Sequence, residues 1–170
     1  MNIRSLFSTL LLVLLASSFT FANSVSGWKP LLSANELNQI LQAHSKAVTI
    51  TDIRQPNTPD PDSSYNASHI ADASSSPCGN WWGPAKNPRK FLSQSQLTTL
   101  VQGLGLTADT PTIVILKGDF YSDFGAAARV YWTLKTASLR QLAVVDGGFI
   151  AWEQTGLPIS KEVTKASHSS

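Results

Sequence analysis

The segment Pro111-Thr112-Ile113-Val114-Ile115-Leu116 is β-branched, short and apolar at successive positions, with no alternation of polar residues. A strand of that kind has to be covered on both faces, which is the situation of a central strand in a parallel sheet. Leu142-Ala143-Val144-Val145-Asp146 repeats the pattern and closes on Gly147-Gly148, and Ala47 to Ile53 reads as a third strand ending at Asp52. Parallel strands need crossover connections, and helical segments stand where those are required.

Ser33-Ala34-Asn35-Glu36 is a capping box opening a helix that carries Leu37, Ile40 and Leu41 and runs to about His44. Ser93-Gln94-Ser95-Gln96 is a second box, followed by Leu97, Leu100, Val101 and Leu104, with Gly105 at the left-handed C-cap position. Residues 126–134 favour a third helix with Ala127, Val130, Tyr131 and Leu134 on its apolar face, and a short one carries Phe149 and Trp152. Alternating strands and helices imply an α/β fold, an open parallel sheet with helices on both faces, in a single domain. Between these elements lie a Pro-, Asp- and Ser-rich loop over residues 55–64, an irregular surface crossing over 77–84, and a loop from Lys117 to Phe124.

The chain starts as an address does. Arg4 precedes the apolar run Leu10 to Ala16, and Thr20 and Ala22 fit a small-x-small cleavage site, so residues 1–22 read as a signal peptide. The apolar run is shorter than a bilayer span, so no membrane attachment is expected after cleavage. The protein is then expected to be exported, periplasmic in a bacterium or otherwise secreted, with the domain over residues 28–160 and a flexible tail over 161–170. A formal charge of +2, which falls by one with Arg4, gives no basis for holding nucleic acid. A single cysteine, Cys78, excludes an internal disulfide and cysteine-rich metal sites, and His44, His69 and His168 show no ligand spacing. No metal and no cofactor is expected.

Taken in order, the pieces resemble the rhodanese, or sulfurtransferase, family. They are the Ser33 to Leu41 helix, Asp52-Ile53-Arg54, His69-Ile70-x-x-Ala73, the Leu104-Gly105-Leu106 helix end and the Ile113 to Leu116 strand. Ala127-Ala128-Arg129 and Asp146-Gly147-Gly148-Phe149-x-Ala151-Trp152 complete the series, which covers nearly everything from Trp28 to Pro158. The stretch from Phe91 to Trp132 is most similar to the amino-terminal, non-catalytic half of the two-domain thiosulfate and mercaptopyruvate sulfurtransferases. The resemblance implies a loop after the central strand whose N–H groups and following helix stabilise a cysteine thiolate and then a persulfide. Here that position falls on Lys117, or on Gly118 with a register slip of one, and neither carries sulfur. The candidate site loop is Lys117, Gly118, Asp119, Phe120, Tyr121, Ser122, Asp123 and Phe124. Its two carboxylates stand where an anionic donor would sit, and Thr58 stands near the place of a substrate-holding arginine.

Asp52, Arg54, His69 and Arg129 are candidates for the rim of the site. The alternatives are a structural brace for Asp52 and Arg54, a structural hydrogen bond for His69, and an ion pair with Asp119 or Asp123 for Arg129. Cys78 is a candidate catalytic thiol or a small buried hydrophobe. Trp81, Trp82, Tyr121 and Phe124 either line an aromatic pocket or join the core. Two functions compete: a binding or partner module for a small anion, sulfur carrier, peptide or protein, without persulfide catalysis, and an active sulfurtransferase using Cys78 or a cysteine-bearing partner. A phosphatase-like reading of the same loop also needs the missing cysteine.

Overall fold

A computed structural model describes residues 25–59 and 63–162 of the chain. The expected signal peptide and residues 163–170 of the expected tail lie outside the described residues. The elements are β1 (Leu31–Leu32), α1 (Ala34–His44), β2 (Thr49–Asp52), β3 (Ser74–Ser75), α2 (Gln94–Gly103), β4 (Thr112–Ile115), α3 (Tyr121–Thr136), β5 (Leu142–Val145) and α4 (Gly148–Gln154). A 3-10 turn, Cys78–Trp81, follows β3. The strands form one parallel sheet in the order β1-β5-β4-β2-β3.

The apolar strands divide their side chains between two cores. Ile50, Ile113, Ile115, Ala143 and Val145 meet Leu37 and Ile40 of α1 and Phe149 and Trp152 of α4. Val114, Leu116, Leu142 and Val144 point the other way and meet Val130 and Leu134 of α3 with Leu104 and Leu106. This is the period of two along a strand, with both faces covered, and it confirms the doubly layered α/β arrangement.

Both capping boxes form. Ser33 Oγ accepts from Glu36 N at 3.3 Å while the Glu36 carboxylate accepts from Ser33 N at 2.9 Å. The Lys29 ammonium, 2.6 Å away, and the Ser33 donors hold the Glu36 carboxyl down at about 2. Its folded value is depressed, so its contribution is present above the ordinary carboxylate range and is lost only as pH falls towards 2. At the end of α2, Gly105 with φ +68° donates to Gln102 O and Leu106 N donates to Val101 O, a Schellman closure. None of the residues of α2 is fully buried, so its caps carry a larger share of its stability. Ser93→Ala is expected to cost about 1 kcal/mol. Hydrogen exchange should show the loss as faster exchange of α2 amides, while α1 and α3 amides stay protected.

Outside residues 28–160, Val25 is buried and Glu162 O meets His69 Nε2 at 2.9 Å. Three sequence expectations need correction. Two further strands, β1 and β3, flank the three expected ones, and each is only two residues long. Trp81 in the supposed surface crossing is 1% exposed and belongs to the core, with its Nε1 donating to Ser76 Oγ at 3.1 Å. Finally, α3 starts at Tyr121, so Tyr121, Ser122, Asp123 and Phe124 are helical and the loop after β4 shortens to residues 116–120.

Candidate functional site

Strands β2 and β4 run in register, with Asp52 beside Ile115 at their carboxyl ends. The segments leaving these two ends enclose a cleft of about 300 Å³ whose lining includes Arg54, Thr58, Cys78, Lys117, Asp123 and Ala126. In an open parallel sheet, the carboxyl ends of adjacent central strands are where ligands bind.

Arg54 of the lining belongs to a buried ion pair. Asp52 is fully buried and Arg54 is 5% exposed. The Asp52 carboxylate accepts from Arg54 N at 3.0 Å, from Arg54 Nε at 3.0 and 3.1 Å and from Nη2 at 2.7 Å. Nη2 also donates to Ser68 O at 2.8 Å, and the guanidinium lies 3.8 Å over the Phe149 ring. The remaining nitrogen, Nη1, is buried and has no hydrogen-bond partner among the described residues. A buried donor left unsatisfied costs about 1–3 kcal/mol, more when charged.

Cys78 reaches the cleft through backbone pairing. Ser76 N donates to Asp52 O at 2.8 Å and Cys78 N to Ile53 O at 2.9 Å, so the chain after β3 continues alongside the end of β2. The thiol is free and partly exposed, and Trp82 Nε1 donates to Sγ at 2.9 Å. Trp82 is steadied by Arg129, whose guanidinium lies 5.2 Å over its ring. In the sequence, the only signal of Trp82 as the partner of the thiol is its four-residue spacing from Cys78.

On the opposite wall, Lys117 Nζ pairs with Asp119 Oδ2 at 2.7 Å and holds that carboxyl below the ordinary carboxylate range. Gly118, with φ +99°, donates its N–H to Asp123 Oδ2 at 3.1 Å. Asp123 stands in the first turn of α3, where the helix end favours a negative charge. The protein's own carboxylate therefore occupies the donor that the loop offers.

The other candidates lie away from the cleft. Arg129 pairs with neither Asp119 nor Asp123. It donates to Trp81 O, Pro88 O, Arg89 O and Lys90 O at 3.1–3.4 Å, because the longer α3 places it more than two turns into the helix, against the 81–90 segment. His69 is fully buried, stacked on Tyr65 at 4.1 Å, with Nδ1 at 2.9 Å from Tyr65 O and Nε2 at 2.9 Å from Glu162 O. The four aromatic candidates do not converge, since Trp81 is core whereas Trp82, Tyr121 and Phe124 are 39%, 94% and 54% exposed. Among the described residues, no group of three or more His, Cys, Asp or Glu could hold a metal ion, and no helix is long and apolar enough to cross a membrane.

SseA from Escherichia coli, whose structure is described as the rhodanese fold of 3-mercaptopyruvate sulfotransferases, superposes with a TM-score of 0.64 at 19% identity. The match covers 79% of this chain and 51% of that one. The chain has a rhodanese-like fold. No protein-family model matches it. The chain is 30% identical over 84 residues to the sulfur carrier protein TtuD of Thermus thermophilus, a match that covers 49% of this chain and 27% of that protein. It is 32% identical over 73 residues to the thiosulfate sulfurtransferase of Cricetulus griseus, covering 43% of this chain and 24% of that protein. The matched part thus spans about a quarter of the length of these relatives.

Proposed function

We propose that this rhodanese-like domain is an exported binding module that takes a small oxyanion or carboxylate in the cleft and does not turn over a persulfide at the loop after β4. The observation that carries this reading is the state of that loop. Lys117 opens it where the family resemblance calls for a cysteine, and Asp123 already takes the Gly118 N–H. A persulfide there would lack both its sulfur and the backbone donor that would steady its charge. The cationic residues Arg54 and Lys117 in the cleft lining support the binding half. Export rests on Arg4, the apolar run to Ala16 and the small residues up to Ala22. The relatives named as a sulfur carrier and as sulfurtransferases support a ligand or partner from sulfur chemistry.

The test is a thiosulfate-to-cyanide assay on the mature protein beside its Cys78→Ser variant. Thiocyanate should form no faster than without protein. Formation well above that control overturns the binding reading, and loss of the excess in Cys78→Ser would move the enzyme to that thiol.

A further inference from the structure

We infer that the face made by residues 82–91 and the middle turns of α3 is a docking surface for an anionic lipid layer. Charge is spread unevenly over this chain. No Asp or Glu occurs between Asp72 and Asp109, and none between Asp123 and Asp146, although the chain carries 11 of them against 13 Lys and Arg. The fold brings these two acid-free stretches together. Arg129 of α3 donates through Nη2 to Pro88 O, Arg89 O and Lys90 O at 3.2, 3.4 and 3.1 Å, and its guanidinium lies 5.2 Å over the Trp82 ring and 5.9 Å over that of Phe91. Arg129 is thereby spent on carbonyls. The side chains of Lys86, Arg89 and Lys90 stand exposed, with no carboxylate paired to them among the described residues.

The same face is aromatic. Phe91 and Trp132 are each 64% exposed, and Trp82 is 39% exposed. Trp132 stands three residues on from Arg129, on the same side of α3, and Lys135 follows at the same spacing and is also exposed. Rings exposed to this degree project from the surface and do not line a groove. A folded partner would need a matching hollow for each, whereas a lipid interface yields around them and takes indole rings at headgroup depth. The Lys and Arg side chains beside them meet the lipid phosphates, each worth about fivefold in affinity near an anionic surface.

The platform is formed in advance. Gly83 N donates to Pro88 O at 3.1 Å, Asn87 N to Pro84 O at 2.7 Å and Lys90 N to Asn87 O at 3.0 Å, so the loop holds itself while Arg129 ties it to α3. The flanking carboxylates do not oppose the charge of this face. Asp123 stands in the first turn of α3, about 13 Å along the helix from Trp132, and Asp109 is paired with Arg140. Docking of this kind needs no spanning segment, and the short apolar run of residues 10–16 argues only against spanning.

The experiment sediments the mature protein with vesicles of phosphatidylcholine alone and of phosphatidylcholine with phosphatidylglycerol in equal parts, at about 0.1 M salt. Partitioning onto the anionic vesicles should exceed that onto the neutral ones by more than about tenfold and fall as salt is raised. Lys90→Gln should lower it about fivefold. Lys46→Gln, the same charge change just after α1 on the opposite face of the sheet, should leave it unchanged. Trp132→Ser should lower it about tenfold through lost apolar burial. All three positions are exposed, and circular dichroism checks that each variant is folded. Equal partitioning onto the two kinds of vesicle, or equal losses from Lys90→Gln and Lys46→Gln, would overturn the inference. Binding to neither vesicle would overturn it as well. In that event, retention on immobilised polyglutamate that weakens in Lys90→Gln assigns the face to an acidic protein, and a dimer that is lost in Trp132→Ser assigns it to a second copy of this chain.

Discussion

Asp52→Ala is expected to lower the unfolding free energy by about 3–5 kcal/mol, because it leaves a buried charge without its partner. The Arg54 guanidinium would keep Ser68 O and the Phe149 face but lose every bond to a carboxylate. Water has little access to replace that partner at a residue only 5% exposed. Asp52→Asn keeps an acceptor and should cost less. Urea titration followed by tryptophan fluorescence would measure both, and a loss below about 1 kcal/mol for the alanine variant would show that the pair is not desolvated as described.

Gly148→Val should be comparably damaging. Gly148 has φ +59°, and a Cβ built there lies 2.5 Å from Leu116 O and 2.8 Å from Lys117 O. Those two carbonyls accept from Phe149 N and Ile150 N at 2.8 and 3.1 Å, so they cannot swing away without breaking the joint between β4 and α4. Left-handed strain in a branched residue and displacement of packed backbone are each worth about 1–3 kcal/mol, which gives about 2–6 kcal/mol together. The turn chemistry visible in the sequence accounts for only the first of these. An unchanged denaturation midpoint would mean that the two loops do not approach as closely as this.

The parts of the fold that could be read from sequence are those whose signal is local. Ser33 with Glu36 and Ser93 with Gln96 mark their helices within four residues, and the unbroken apolar runs at 113–116 and 142–145 announce strands buried on both faces. The start of α3 was illegible for a matching reason. Its N-cap is Phe120, which makes no side-chain cap, and Gly118 and Asp119 before it look like turn residues. What begins the helix is Asp123 reaching back to Gly118 N, a bond that depends on where β4 delivers the loop. β1 and β3 escaped notice because a two-residue strand has no period. In the site, Asp52 and Arg54 stood out as a pair, and Thr58 does line the cleft. The presence of Cys78 there could not be read, since it follows from pairing of residues 76–78 with residues 52–53, across a proline-rich loop with no pattern of its own.

Those short outer strands also govern how this molecule meets its neighbours. The apolar strands β4 and β5 would be strong templates for intermolecular pairing if either lay at a border, yet both are interior. At the borders stand Leu31–Leu32, entered from Pro30, and Ser74–Ser75, left through Ser76 and Pro77. Proline has no N–H to offer, and two residues give an approaching chain little to zip onto. The molecule can thus carry a sheet this apolar with little tendency to recruit copies of itself into a shared ribbon.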